Sequence, residues 1–318
     1  MAEHASYFAD EKARRIYMAR QIILKVLVYL FLTIFAIFMV APFILMVVGS
    51  FVETGQFHDF TTDANFAHLG HWTPDNYIEV FRTTWVDDFN VEHVRQGTNF
   101  GAFFLNTFIV AVCSTTITVV TAVLAAFAFA RLEFKGKELL FALLLGTMMI
   151  PGEMMVITNF MTVQQLHWQN TFAALILVHG VSVFYVFYLR QTFQQIPNEL
   201  YLAAKVDGVS DFGYLLKVMV PIAMPTITTI IILTMMGSWN SYVWPNMVAN
   251  DNWKPFDIQT EHTMKLVSNG LRTLFGEGDI QEAGKLAGSM VVSIPLFIVF
   301  ICFRKYIMKG VSRSGIKG

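Results

Sequence analysis

The clearest chemical instruction in this chain is the stretch 196–208, Ile-Pro-Asn-Glu-Leu-Tyr-Leu-Ala-Ala-Lys-Val-Asp-Gly. Pro197 suits the first turn of a helix, where its missing N–H is no loss. Gly208 suits a helix stop, where a left-handed residue is wanted. Ala203 and Ala204 leave a low surface that another protein can approach closely. Glu199, Lys205 and Asp207 put charge beside it. The segment predicts a short docking helix between two long apolar runs, and therefore a protein partner.

Four more residues are polar or aromatic in apolar surroundings: Glu153, His179, Trp239 and Asn240. Ionisable side chains inside apolar spans are costly and default to functional hypotheses. Glu153 follows Pro151 and Gly152, a pair that breaks a helix and frees carbonyls where protein or a water-filled cavity can meet them. It reads as lining a passage, or as an acid at the outer boundary or paired within the bundle. His179 reads as passage-lining or as a hydrogen-bonded packing residue. Asn240 fits an amide that ties helices together, with each such bond worth on the order of 1 kcal/mol. Trp239 fits an aromatic platform or an interfacial belt.

Enzyme chemistry is missing. Gly136-Lys137 and Gly284-Lys285 lack the upstream glycine and the following Ser or Thr of a nucleotide-binding loop. No His-Glu-x-x-His or Gly-x-Ser-x-Gly occurs. His58, His68, His71 and His93 match no metal-ligand spacing. Cys113 and Cys302 lie in apolar runs and read as buried free thiols. No catalytic residue, cofactor or metal is expected on the chain.

The elements that must position these residues are membrane helices. The chain is 55% hydrophobic and 14% charged, against roughly 25% charged in soluble domains. Its mean hydropathy is +0.53. A net charge of −1 gives no reason to expect nucleic acid; the lipid bilayer is the expected surrounding. Six runs approach the length of about 20 residues that a bilayer requires: 22–48, 103–130, 139–163, 172–189, 218–245 and 286–303. The first is too long for a signal peptide and reads as uncleaved. The fold class expected is all-α and polytopic, as one membrane domain.

The boundaries expected are an N-terminal segment 1–21, a first helix 22–48, an external loop 49–102, a five-helix core 103–303 with a loop 190–217, and a tail 304–318. Sixteen of the 22 lysines and arginines fall in the N-terminal segment and the start of the first helix, the 131–138 turn, the 190–217 loop and the tail. The bias of basic residues toward the cytoplasm puts both termini and the 190–217 loop on that side.

The signature Ala203-Ala204-x-x-Asp207-Gly208, followed by Pro221 and Pro225, resembles the cytoplasmic loop of ABC-importer permease subunits. Further matches resemble the carbohydrate-uptake permeases of the MalG type. They are Phe127 to Gly136 (Phe-Ala-Phe-Ala-Arg-Leu-Glu-Phe-Lys-Gly), Met149-Ile150-Pro151-Gly152, Trp239-Asn240, and the end from Gly310 to Ile316-Lys317-Gly318. The likeness runs from about Trp72 to the C-terminus. One departure stands out: the family usually carries Glu immediately before the two alanines, where this chain has Leu202, and Glu199 lies one turn earlier.

The resemblance implies a type I ABC-importer permease fold in the inner membrane of a prokaryote. It also implies a set of partners: a second, paralogous permease, two cytoplasmic ATPase subunits that hold ATP and Mg, and an extracytoplasmic sugar-binding protein. Glu199, Ala203, Ala204, Asp207 and Gly208 would then meet the ATPase. Glu153, His179, Trp239 and Asn240 are candidates for the translocation pathway. The Ala-Ala-x-x-Asp-Gly signature by itself also allows an importer of amino acids, peptides or polyamines. An ion-driven secondary transporter is a rival of another class, set back by the absence of an internal repeat.

Overall fold

A computed structural model describes residues 11–53, 72–82, 84–86, 92–94, 100–249, 264–274 and 282–312. His58, His68, His71 and the last residues 313–318 lie outside that set, and the side chain of His93 is likewise not described.

Helix α1 (Glu11–Ser50) is 40 residues long, about 60 Å at 1.5 Å per residue. Its apolar window has no buried residue. It packs chiefly along the last helix, so most of its surface is left for lipid or another chain. Its end is pinned. Asn76, on α2 (Asp75–Phe81), donates from Nδ2 to the carbonyls of Ser50 at 2.9 Å and Val52 at 2.8 Å, satisfying acceptors that a helix C-terminus leaves open. A short antiparallel hairpin follows, β1 (Thr84–Val86) with β2 (Glu92–Val94). Apart from an isolated bridge between Val52 and Trp72, the remaining regular elements among the described residues are helical.

Helix α3 (Phe100–Arg131) is the axis of the bundle. It packs most heavily on α7 (Val183–Gln194) and α10 (Val220–Trp239). The run expected at 139–163 is α4 (Lys137–Thr147), a 3-10 turn Gly152–Met155 and α5 (Val156–Gln165), bent by 83°. Pro151 supplies the reason, because it cannot continue the hydrogen-bond ladder. The run expected at 172–189 is also divided, into α6 (Phe172–Ile176) and α7, capped by Thr171 and Ser182.

After α7 come α8 (Asn198–Val206), α9 (Asp211–Tyr214) and a π turn Leu215–Met219 that leads into α10. Helices α11 (Val243–Val248), α12 (Val267–Leu274) and α13 (Glu282–Ser312) complete the chain. Among the described residues, four helices are long and apolar enough to cross a membrane. The count is five if the bent α4–α5 pair is one span. The chain is thus an all-α polytopic membrane protein.

One expectation is overturned. Cys113 and Cys302 are free thiols, but both are exposed on outward helix faces. In a membrane bundle an apolar run faces lipid as readily as core, so apolarity alone does not predict burial.

Candidate functional site

Helix α8 sits on a platform built from charged side chains. Arg131 ends α3 and donates from Nη2 to the carbonyls of Phe193 at 2.9 Å and Ile196 at 2.5 Å, at the C-terminal end of α7 where a cation is favoured. Arg190, 8% exposed, donates from Nε to the Phe129 carbonyl at 3.1 Å and from Nη2 to Glu138 at 3.3 Å. Its guanidinium lies 3.9 Å from the Phe141 ring centroid. These bonds lock the ends of α3, α4 and α7 together. Beneath them pack Phe127, Leu189, Phe193, Tyr214 and Met219.

Pro197 stands just before the helix with ψ 136°, so α8 begins at Asn198. The stop has the form the sequence predicts. Gly208 has φ +73°. Val209 N–H donates to Ala204 O at 2.8 Å and Gly208 N–H to Lys205 O at 3.1 Å, the paired bonds of a Schellman stop. One face of α8 is tethered: Tyr201 Oη donates to Asp211 at 2.6 Å, and Lys205 Nζ lies 2.7 Å from the same oxygen. Donation to Asp211 raises the Lys205 pKa, so the ammonium stays charged. Burial first, and then the Asp211 bond, raise the Tyr201 pKa. The opposite face carries Glu199, Leu202, Ala203 and Val206 at spacings of three and four residues, all exposed, with Val206 at 87%. Asp207 is exposed at the helix end.

A second feature lies within the bundle, a cavity of about 250 Å³ between α3, α10 and the break before α7. Helix α3 contributes Ser114 and Thr118, and α10 contributes Thr234 and Ser238. His179 and Ser182 enter from the break. Trp244 forms a wall, its ring edge-on to His179 with centroids 5.2 Å apart. Its Nε1 is already spent on the Ala174 carbonyl at 2.9 Å. The Thr118 and Thr234 hydroxyls are buried without a hydrogen-bond partner, each a penalty of about 1–3 kcal/mol if left so. Gly180, next to His179, leaves no room for a side chain: a Cβ there would meet Ile117 Cγ2 at 2.9 Å.

Comparison with known families decides the identity. Residues 118–313, more than half of the chain, match the model of the binding-protein-dependent transport system inner membrane component. The chain belongs to that family. This ABC-importer permease is 29% identical to the arabinooligosaccharides transport system permease protein AraQ of Halalkalibacterium halodurans, over 77% of its own length and 80% of the relative's. It is 27% identical to the trehalose/maltose transport system permease protein MalG of Thermococcus litoralis, over 95% and 100%. A solved bacterial ABC transporter involved in the import of the acidic polysaccharide alginate has the same fold. Its TM-score is 0.67 at 19% identity, covering 94% of the permease and 99% of that chain.

Of the four residues singled out inside the apolar runs, the permease places His179 alone against the cavity. Glu153 is exposed in the 3-10 turn of the bent α4–α5 segment. Trp239 is buried, donating from Nε1 to Val292 O on α13 at 3.2 Å and packing edge-on to Phe104. Asn240 is the exposed cap of α10. Sequence reading missed the hydroxyls. Their signal was present as two pairs four residues apart, Ser114 with Thr118 and Thr234 with Ser238, each within an apolar helix.

Proposed function

We propose that this chain is one of two unlike permease halves of an ATP-driven, binding-protein-dependent carbohydrate importer in a prokaryotic inner membrane. Its core, 103–303, crosses the bilayer five times after a first helix, with 139–163 and 172–189 as broken crossings, giving six in all. Both termini and the 190–217 loop face the cytoplasm. Two ATPase subunits bind ATP with Mg and dock on α8 through Glu199, Ala203, Ala204, Asp207 and Gly208. An external sugar-binding protein delivers cargo to the other side. No catalytic group is assigned to this chain.

The observation that carries the reading is the build of α8. It is an exposed helix with an unburied apolar stripe, held by Arg131, Arg190, Tyr201 and Asp211 on a platform that joins three spans. Such an element passes motion rather than absorbing it, because the ends it rests on belong to the helices that must move. Leu202 at the usual Glu position makes the stripe more apolar, and Glu199 supplies the acid from the first turn. The carbohydrate cargo is supported by relatives named for arabinooligosaccharides and for trehalose and maltose. Of the pathway candidates, His179 is assigned the pathway role. Trp239 and Asn240 are assigned to helix packing and capping, and Glu153 to the bend.

Affinity purification from native membranes tests this reading. The expected companions are a Walker-motif ATPase, a second polytopic permease and a sugar-binding protein, with ATP hydrolysis stimulated by the liganded binding protein. Recovery of this chain alone, or as a homodimer that transports without ATP, would overturn it.

A further inference from the structure

Lipid does not suit the break between α4 and α5. The 11 residues of α4 carry it only about 16 Å from Lys137, and the hydrocarbon layer is about 30 Å thick. With Lys137 at the cytoplasmic boundary, the break opens inside that layer. Every residue in 146–155 is exposed, and the chain bends there by 83°. The carbonyls of Met148, Met149 and Ile150 accept no hydrogen bond among the described residues. Irregular backbone of this kind is tolerated at membrane depth only against protein or in a water-filled cavity. The Glu153 carboxyl group likewise has no partner among the described residues, and such a group facing lipid is costly.

Water alone does not suit the break either. Met149 is 85% and Met154 72% exposed, and Met148, Met155 and Met161 are exposed with them. Methionine is unbranched and polarizable, and makes a contact surface that can re-pack. Gly146 and Gly152 give a second, independent sign. Neither has a positive φ, and a Cβ on either would meet nothing within 4 Å. The fold of this chain therefore does not itself require glycine at these positions, and small residues let a helix of another chain approach closely.

We propose that the α4–α5 break is the seam with the second, unlike permease half. That partner presents an apolar helix face carrying one basic side chain, which meets Glu153 and satisfies it. The methionines around Glu153 let the seam slide and re-pack as the helices move. The proposal rests on the importer reading above and deepens it by locating the contact between the two halves.

The intact complex in native membranes tests it. Met149→Cys, in a background where Cys113 and Cys302 are serine, is labelled with a thiol-anchored benzophenone and irradiated. The expected adduct joins this chain to the second polytopic permease. Glu153→Leu should lower the amount of second permease recovered with this chain in mild detergent about tenfold, the loss of one good charge-assisted bond. Glu153→Gln still accepts a hydrogen bond and should restore most of it. Recovery of the ATPase with this chain should hold steady, because Glu153 lies apart from the α8 platform. An adduct only to lipid, or only to a second copy of this chain, would overturn the seam while leaving the importer standing. So would undiminished recovery of the second permease with Glu153→Leu, or an equal loss of ATPase and second permease, which would mark a structural role. Failure of the importer reading looks different: neither a second permease nor an ATPase accompanies the unaltered chain, and the seam falls with it.

Discussion

The α8 platform and the cavity beside His179 share the long helix α3, yet they are built in different ways. At the platform, two arginines close on backbone carbonyls, and Arg190 also meets Glu138 and the Phe141 ring, although Arg131 Nε and the Tyr214 hydroxyl are buried without a partner. In the cavity, charge is absent and hydroxyls are left over. A satisfied polar network fixes one geometry. The platform is thus held by charge-assisted bonds that tie three helix ends together, whereas the cavity is walled by apolar and hydroxyl side chains without an ion pair.

The comparison can be broken first at Gly208. Its φ of +73° is open to glycine and strained for a branched side chain. Gly208→Val is expected to abolish uptake with insertion and expression intact, because it unseats the stop of α8 without touching the bundle. Uptake assayed alongside surface abundance checks this, and normal uptake would remove α8 from the coupling route.

Arg190→Ala should come next. It strips a buried guanidinium from a carbonyl, a carboxylate and a ring, so a loss of about 1–3 kcal/mol is expected, read as a drop in the thermal midpoint of the purified complex. Glu138→Ala should do much less, since Glu138 is 75% exposed and water replaces it. Equal losses from the two would mean the platform is held by the ion pair rather than by the carbonyl contact.

A smaller effect is expected from Tyr201→Phe, which removes one bond to Asp211 and should cost under about 1 kcal/mol. Hydrogen exchange should report it as faster opening of α8 alone, with α3 and α10 unchanged. The smallest effect concerns pH. The Lys205 pKa is raised by its bond to Asp211, so the contribution of that pair is fully present below the ordinary lysine pKa. It is lost only as pH rises through the raised value. Coupling should accordingly be flat from about pH 6 to 9, and a decline within that window would point to a group other than Lys205.

Helix α8 was legible in sequence because its signals are local, whereas the arginine platform beneath it was not, since Arg131 and Arg190 find their carbonyls some sixty residues away in the chain. Pro197, the paired alanines and Gly208 lie within a dozen residues, and helix stops obey short-range rules. The tether was not legible: that Asp211 turns back to Tyr201 and Lys205 depends on the Ser210 cap, which starts α9 at that point. The cavity was still less so. Its walls come from residues as far apart as Val110 and Leu266, and threonine inside an apolar helix reads as tolerated rather than purposeful. Trp239 drew attention for its type, but its Nε1 is spent on the Val292 carbonyl. Broken spans were half visible, since Pro151 announces one break, whereas the break before α7 has no proline in it.

The central claim is that the exposed stripe of α8 meets an ATPase. It is most directly tested by placing Val206→Cys in a background where Cys113 and Cys302 are serine, and treating native membranes with a thiol-anchored photocrosslinker. The account predicts one major adduct, between this chain and a Walker-motif ATPase, whose yield changes when ATP is added. Efficient labelling of the cysteine at position 206 with no ATPase adduct, with or without nucleotide, would contradict it.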